Sequence, residues 1–152
     1  MFDLEQELDQ IRTALDAQHI EYALCGGLAM AVHGAPRATI DIDLLIHGED
    51  AEHVENVAAP LGFKIKANPM SFSSGAIKIR RVSKIDPNDG EVLMLDLLLV
   101  TPAVASSWET REQRMWSGRP LTVVSKEGLV TLKAFRSSDQ DRADIARLRE
   151  EP

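Results

Sequence analysis

The stretch of sequence that most constrains the fold runs over residues 25–46 and reads CGGLAMAVHGAPRATIDIDLLI. A glycine pair at 26–27 ends an apolar run and opens a short helix, which the pattern predicts over residues 28–33. Gly-Ala-Pro at 34–36 then breaks that helix, because proline disfavours helical geometry at the residue before it. The stretch therefore predicts a strand, a tight turn, a short helix and a second strand in close succession.

The second of these strands carries two carboxylates on one face. Residues 39–44 alternate polar and apolar side chains, which places Asp41 and Asp43 on the same side. Carboxylates with Cα atoms about 7 Å apart repel each other unless a cation lies between them, and Mg²⁺ takes carboxylate ligands together with substrate phosphates. The N–H groups of Gly26 and Gly27 can cradle a phosphate. The combination indicates nucleotide chemistry; a polar strand face open to solvent is the alternative.

A third carboxylate lies inside a nearly unbroken apolar run over residues 92–100, which is typical of a strand buried on both faces. An ionised carboxylate at Asp96 would be very costly there without a partner. It must therefore be protonated, paired with an arginine such as Arg37, or bound to a metal. The turn signal at 86–90 predicts that the run pairs with residues 75–84 as a hairpin.

Amphipathic patterns predict helices around these strands. They cover residues 2–17 and 51–61, a segment from an N-cap at Ser125 to Arg136, and a last helix capped by Ser138. The sequence thus predicts one domain over residues 1–152 of the α/β (α+β) class, with a small mixed, twisted sheet and flanking helices on one side of it.

Composition excludes several classes of protein. A net charge of −7 argues against a generic nucleic-acid coat, although residues 61–152 hold twelve acids and fifteen bases against twelve acids and two bases in residues 1–60. No apolar run is long enough to span a bilayer, and the acidic N-terminus lacks the basic segment of a secretory signal. With Cys25 as the only cysteine, no intrachain disulfide can form, so we expect a cytoplasmic protein without a membrane partner.

The order of glycine pair, helix, Arg37-x-Thr39 and Asp41-x-Asp43 resembles the DNA polymerase β-type nucleotidyltransferase superfamily. Within it, GGLAxxxHGxxRxTxDIDLL is most similar to the small bacterial enzymes grouped with AbiEii-type abortive-infection toxins. A similar ending in those enzymes, a helix with a lysine followed by D-x-x-D, corresponds here to Lys133 and the last helix. One departure is Leu28, which stands where many members of the superfamily carry a hydroxyl residue.

The resemblance implies transfer of a nucleotidyl group from a nucleoside triphosphate such as ATP, with Mg²⁺ (or Mn²⁺) held by three carboxylates. It implies that Asp144 fixes either a nearby basic residue or the pair of C-terminal helices. The implied metal-binding and catalytic residues are Asp41, Asp43 and Asp96, and the implied nucleotide contacts are Gly26, Gly27, Arg37 and Lys133.

The acceptor hydroxyl cannot be identified from the residues. The leading expectation is the toxin of a toxin–antitoxin pair, which would modify tRNA or a protein and meet an antitoxin protein. The alternatives are an antibiotic or small-molecule nucleotidyltransferase, and a degenerate, non-catalytic member that binds a nucleotide or a partner.

Overall fold

The computed structural model describes residues 1–150, and the elements within that range form one mixed sheet flanked by helices. The helices are α1 Leu4–Ala17, α2 Gly26–Val32, α3 Ala51–Ala58, α4 Ala105–Glu109, α5 Lys126–Arg136 and α6 Asp139–Glu150. The strands are β1 Ala23–Cys25, β2 Asp41–Ile46, β3 Ile65–Lys66, β4 Met70–Phe72, β5 Ile77–Ile85, β6 Val92–Leu99, β7 Glu112–Trp116 and β8 Arg119–Val123.

The sheet has the strand order β3-β5-β6-β2-β1-β8-β7, and β4 pairs with the same strand, β5, as β3 does. β2 runs parallel to β6 and β1 parallel to β8, whereas the other pairs are antiparallel. The predicted fold class is confirmed. The predicted hairpin is confirmed as well, since β5 and β6 pair antiparallel along seven registered positions from Ile79–Leu98 to Ile85–Val92.

The central strands separate a polar site from an apolar core. Asp43 of β2 lies beside Asp96 of β6, and Arg81 of β5 lies opposite Asp96, so all three side chains share one face of the sheet. Their chain neighbours, such as Ile42 and Leu97, point to the other face and are fully buried. We call the first of these the site face.

Helices cover both faces of the sheet, so the expectation of helices on one side only is wrong. On the apolar face, Glu55 of α3 forms an ion pair with Arg80 of β5, and Glu7 of α1 forms one with Lys84. On the site face, Lys133 of α5 lines a small cavity together with residues of β1 and β2. None of the helices in residues 1–150 is both long and apolar enough to cross a membrane.

Two element boundaries differ from the prediction in a way that affects the site. α2 begins at Gly26 rather than at residue 28, so the glycine pair forms the first turn of the helix and not the loop before it. β2 begins at Asp41 rather than at residue 39, so the first carboxylate stands at the end of its strand. The caps of α5 and α6 are as predicted, since Ser125 accepts from the N–H of Gly128 and Ser138 accepts from that of Asp141.

Candidate active site

Three carboxylates converge on the site face. One oxygen of each of Asp41, Asp43 and Asp96 lies within 4.8 Å of an oxygen of the other two. The register of parallel strands β2 and β6 sets Asp43 beside Asp96, and Asp41 is two residues away on the same face. Asp43 and Asp96 are only 5% and 3% exposed, whereas Asp41 is half-buried. The structure therefore brings together the three predicted carboxylates.

The cluster carries negative charge that the protein compensates only in part. Burial, with added repulsion from Asp96 and Asp41, raises the pKa of Asp43 to about 7. Burial, and then Asp96, also raises the pKa of Asp41. A divalent cation would neutralise such a group of oxygens, and hard cations such as Mg²⁺ prefer carboxylate ligands. The donor set and its burial thus fit a magnesium or manganese site formed by these three residues.

The glycine pair is packed against the carboxylate strand with no room for a side chain. Gly26 has a φ of +68°, and a Cβ atom there would lie 2.1 Å from Oδ2 of Asp43. A Cβ atom on Gly27 would lie 2.7 Å from Oγ1 of Thr39 and 3.2 Å from Nη1 of Arg37. The first turn of α2, whose N–H groups have no helical partner, therefore lies directly beside the cluster.

A cleft of about 270 Å³ opens from Asp41 and Asp43 towards α5 and α6, and the third carboxylate, Asp96, does not line it. Lys133 and Arg136 of α5, and Arg37 of the segment between α2 and β2, also line the cleft and add positive charge near the glycine backbone. Arg136, the last residue of α5, was not among the predicted site residues. The predicted residues that line this cleft are Gly26, Gly27, Arg37, Asp41, Asp43 and Lys133.

Asp144 of α6 holds two of these cations in place. Its carboxylate accepts hydrogen bonds from Nε of Arg37 at 2.9 Å and from Nζ of Lys133 at 2.8 Å. Nε2 of Gln140 donates a third bond at 2.8 Å. Burial acts to raise the pKa of Asp144, but the bonds from Arg37 and Lys133 outweigh it, and the pKa is lowered. The expectation that Asp144 fixes a nearby basic residue is confirmed.

Asp96 also has a cationic partner, and it is not the one expected. Nε of Arg81 donates to Oδ1 at 2.6 Å and Nη2 donates to Oδ2 at 2.9 Å. Arg37, the partner that the sequence suggested, binds Asp144 instead. A signal for Arg81 was present in the predicted hairpin. Closing the hairpin on Asp86 and Glu91 makes Arg81 face Asp96 across β5 and β6.

A larger cavity of about 690 Å³ lies elsewhere, at the end of β1 that is remote from the glycine pair. Its lining includes Asp16, Glu21, Tyr22 and Arg111 but none of the predicted site residues. Size alone would favour this cavity. The converging carboxylates, glycine backbone and cations favour the smaller cleft as the place of phosphate chemistry.

Comparison with solved structures finds the same fold in several nucleotidyltransferases. The lincosamide antibiotic adenylyltransferase LnuA, solved with lincomycin bound, is 17% identical with a TM-score of 0.63, over 97% of this chain and 98% of that one. ANT(2")-Ia in complex with adenylyl-2"-tobramycin is 15% identical with a TM-score of 0.66, over 95% and 87%. A structure from Thermotoga maritima, TM1012, described as a nucleotidyltransferase, is 17% identical with a TM-score of 0.63, over 100% and 97%.

Comparison with sequence families is more specific. No curated protein matches the chain. A family model described as aminoglycoside-2''-adenylyltransferase matches residues 7–148, which include every predicted site residue. Neither comparison supports the narrower resemblance to AbiEii-type toxins, whereas the predicted superfamily is confirmed. The chain belongs to the aminoglycoside-2''-adenylyltransferase family and is a nucleotidyltransferase.

Proposed function

We propose that this protein transfers a nucleoside monophosphate, with ATP as the favoured donor, to a hydroxyl group of a small antibiotic-like molecule. The observation that carries the proposal is the convergence of Asp41, Asp43 and Asp96 within 4.8 Å, directly beside the glycine turn. A binding protein for nucleotides would need the glycine turn and the cations. The three carboxylates are what a metal-dependent transferase needs in addition.

In this proposal Asp41, Asp43 and Asp96 hold Mg²⁺ or Mn²⁺, which would neutralise the triphosphate and lower the pKa of the acceptor hydroxyl. The remaining work falls to positioning by the chain's own groups. The N–H groups of Gly26 and Gly27 bind phosphate oxygens. Because these glycines carry no side chain, the triphosphate can approach the backbone beside Asp43.

Arg37 and Lys133 both line the cleft and supply positive charge there, where the β- and γ-phosphates would lie. Lys133 is buried, and both cations are oriented by Asp144, so their charges are held in place before the nucleotide arrives. The backbone of α2 can contribute N–H groups even though Leu28 offers no hydroxyl. Ordered donors of this kind bind a triphosphate at little cost in side-chain entropy.

The acceptor would approach from the side of Asp96. Displacement at phosphorus is in line, so the attacking oxygen and the leaving pyrophosphate lie on opposite sides of the α-phosphate. Gly26, Gly27 and Lys133 lie on the β1 and α5 side of the carboxylates, whereas Asp96 lies on the β6 side. The hydroxyl oxygen bonds to the α-phosphorus, the bond to the β-phosphate oxygen breaks, and the carboxylate of Asp96 accepts the hydroxyl proton.

The class of acceptor is supported by the family to which the chain belongs and by the antibiotic adenylyltransferases that share its fold. This favours the small-molecule alternative over the toxin that the sequence motif suggested. Transfer to tRNA or to a protein, with an antitoxin as partner, stays a prediction without support from these comparisons.

The decisive experiment follows label from nucleotide to acceptor. Attack at the α-phosphorus should move label from α-³²P-ATP, and none from γ-³²P-ATP, onto one of a panel of aminoglycosides and lincosamides in the presence of Mg²⁺. Total RNA and the protein itself serve as competing acceptors. The matched control is Asp43→Asn, which should abolish transfer. Label in the RNA fraction alone would favour the toxin, and γ-label in any product would refute nucleotidyl transfer. Tight nucleotide binding without transfer would indicate the degenerate binding protein.

A further inference from the structure

Both oxygens of Asp96 are occupied by one side chain. Nε and Nη2 of Arg81 form the two parallel bonds of a bidentate pair, at 2.6 and 2.9 Å. The arrangement is built into the sheet, because Arg81 and Asp96 are directly opposite each other on antiparallel strands β5 and β6. The register of the two strands alone therefore brings the Arg81 guanidinium to Asp96, whatever the arrangement of the other residues around the cleft.

The other two carboxylates of the cluster differ from Asp96 in this respect. Among residues 1–150, neither Asp41 nor Asp43 takes part in an ion pair, although Lys133 and Arg136 of α5 line a cavity with Asp43 and act on its charge. The one ion pair that the protein forms with the cluster is therefore on the third carboxylate. The two carboxylates of β2 are left for an added cation.

We propose that Arg81 is a positioning residue of this site. It fixes the carboxylate of Asp96 in the metal-free protein and releases one of the two carboxylate oxygens when the metal binds. The inference rests on the proposed function, because it assigns Arg81 a role at the same carboxylate cluster. The guanidinium can make this exchange, since the Arg81 side chain is 31% exposed to solvent, whereas Asp96 is held inside the sheet.

Two properties of Arg81 have separable effects. Its positive charge lowers the local affinity for a cation, because like charges within a few ångströms repel strongly in a partly buried site. Its planar fork orients the carboxylate, because two parallel bonds allow only one orientation of the Asp96 oxygens. Lysine keeps the charge but has no fork, and glutamine has neither the charge nor the fork.

The experiment titrates Mn²⁺ into metal-free protein without substrate and measures the concentration of free Mn²⁺ by electron paramagnetic resonance. Arg81→Gln should lower the Kd for Mn²⁺ by roughly tenfold, because a neighbouring positive charge is lost. Arg81→Lys should leave that Kd close to the wild-type value. Both variants should lower kcat for transfer by about tenfold or more, with little change in KM for the nucleotide, because the orientation of Asp96 is lost.

Arg80 offers a matched control on the same strand. It forms an ion pair with Glu55 on the opposite face, and its side chain is 35% exposed, close to the value for Arg81. Arg80→Gln removes an arginine and an ion pair without touching the cluster, and it should leave both the Mn²⁺ affinity and kcat near wild type. Thermal unfolding of each metal-free variant shows whether it is folded. If Arg81→Gln does not fold, the effect of Arg81→Lys on kcat still tests the inference.

The Mn²⁺ titration decides the role of Arg81 even if no acceptor is ever found. An Arg81→Gln variant that binds Mn²⁺ no more tightly than Arg80→Gln does would overturn the inference, as would an Arg81→Lys variant with wild-type kcat. Wild-type protein that binds no Mn²⁺ would overturn both this inference and the metal site of the proposed function. Metal binding with the expected order of affinities but no transfer to any acceptor would count against the proposed function alone.

Discussion

Gly26 lies so close to Asp43 that a Cβ atom on the glycine would sit 2.1 Å from Oδ2 of the carboxylate. The same glycine has a φ of +68°, a backbone angle that residues other than glycine adopt only at a cost in free energy. The turn that begins α2 and the central carboxylate of the cluster are thus built against each other. A side chain at residue 26 would move the carboxylate that we expect to bind the metal.

Gly26→Ala should therefore lower both stability and metal affinity. The left-handed φ alone should cost about 1–2 kcal/mol, and displacement of Asp43 should add to that. Gly118→Ala is the matched control, since Gly118 has a φ of +76° but nothing within 4 Å of an added Cβ. Urea denaturation of both variants isolates the steric part. Equal losses of stability in the two, with Mn²⁺ affinity unchanged in Gly26→Ala, would show that the close contact with Asp43 has no consequence.

Metal binding should depend on the β2 carboxylates. Asp41→Asn and Asp43→Asn should each weaken Mg²⁺-dependent binding of a non-hydrolysable ATP analogue by at least about tenfold, because each removes a charged ligand. Isothermal titration calorimetry with and without Mg²⁺ measures the effect.

A second cluster of three carboxylates in the chain provides the control. Asp86, Asp89 and Glu91 also lie within 4.8 Å of one another, but the amino group of Met1 lies between them, 3.0 Å from Asp86 and 2.7 Å from Asp89. Asp89→Asn should leave nucleotide binding unchanged. If Asp43→Asn behaved like Asp89→Asn, the placement of the metal site would be wrong.

The contribution of Asp43 to the stability of the metal-free protein should fall as the pH rises. Burial raises the pKa of Asp43 to about 7 in the folded protein, from an ordinary value of 3.8. The folded state thus binds this proton more tightly than the unfolded state does. The contribution of protonated Asp43 to the free energy of unfolding is therefore fully present below about pH 4 and is lost as the pH rises through about 7. The rise in pKa corresponds to roughly 4 kcal/mol at most.

Urea denaturation in EDTA at pH 5 and pH 8 measures this dependence, and Asp43→Asn should remove it. Comparison with the variant is needed because other carboxylates, such as Asp144 with its lowered pKa, favour the folded state at higher pH. Mg²⁺ should stabilise the wild type more at pH 8 than at pH 5, because it competes with the proton for the carboxylates. A wild type and an Asp43→Asn variant with the same pH dependence would show that Asp43 is ionised throughout.

Loss of Asp144 should destabilise the protein strongly. Asp144→Ala leaves the buried amino group of Lys133 without its carboxylate and frees Arg37, which should cost about 3–5 kcal/mol. Nucleotide affinity should fall as well, since both cations lose their orientation. Thermal and urea denaturation measure the first effect and calorimetry the second.

Asp139→Ala on the same helix is the control. Asp139 pairs with Arg142, but its side chain is 98% exposed, so its removal should have little effect on stability. A similar small effect for Asp144→Ala would show that Lys133 and Arg37 are held by something other than this carboxylate.

The chain's local patterns were sufficient for the fold class and for the three carboxylates. Alternation over residues 39–44 and the apolar run around Asp96 are short-range features that specify which face of a strand a side chain takes. The cap at Ser125 and the turn before Glu91 were readable for the same reason, since each depends on residues within a few positions of one another.

Only the tertiary structure decided that Arg37 meets Asp144, and only the exact register of the predicted hairpin placed Arg81 opposite Asp96. Arg81 reaches Asp96 from fifteen residues away, and Arg37 reaches Asp144 from 107 residues away. The sequence by itself determined that a buried Asp96 needs a partner, because the cost of burying a lone charge is a local matter. The register of the strands and the docking of α6 determine which arginine each carboxylate meets. Charge pairing depends on distance in the folded protein, and many arrangements of the same arginines are compatible with the same local sequence patterns.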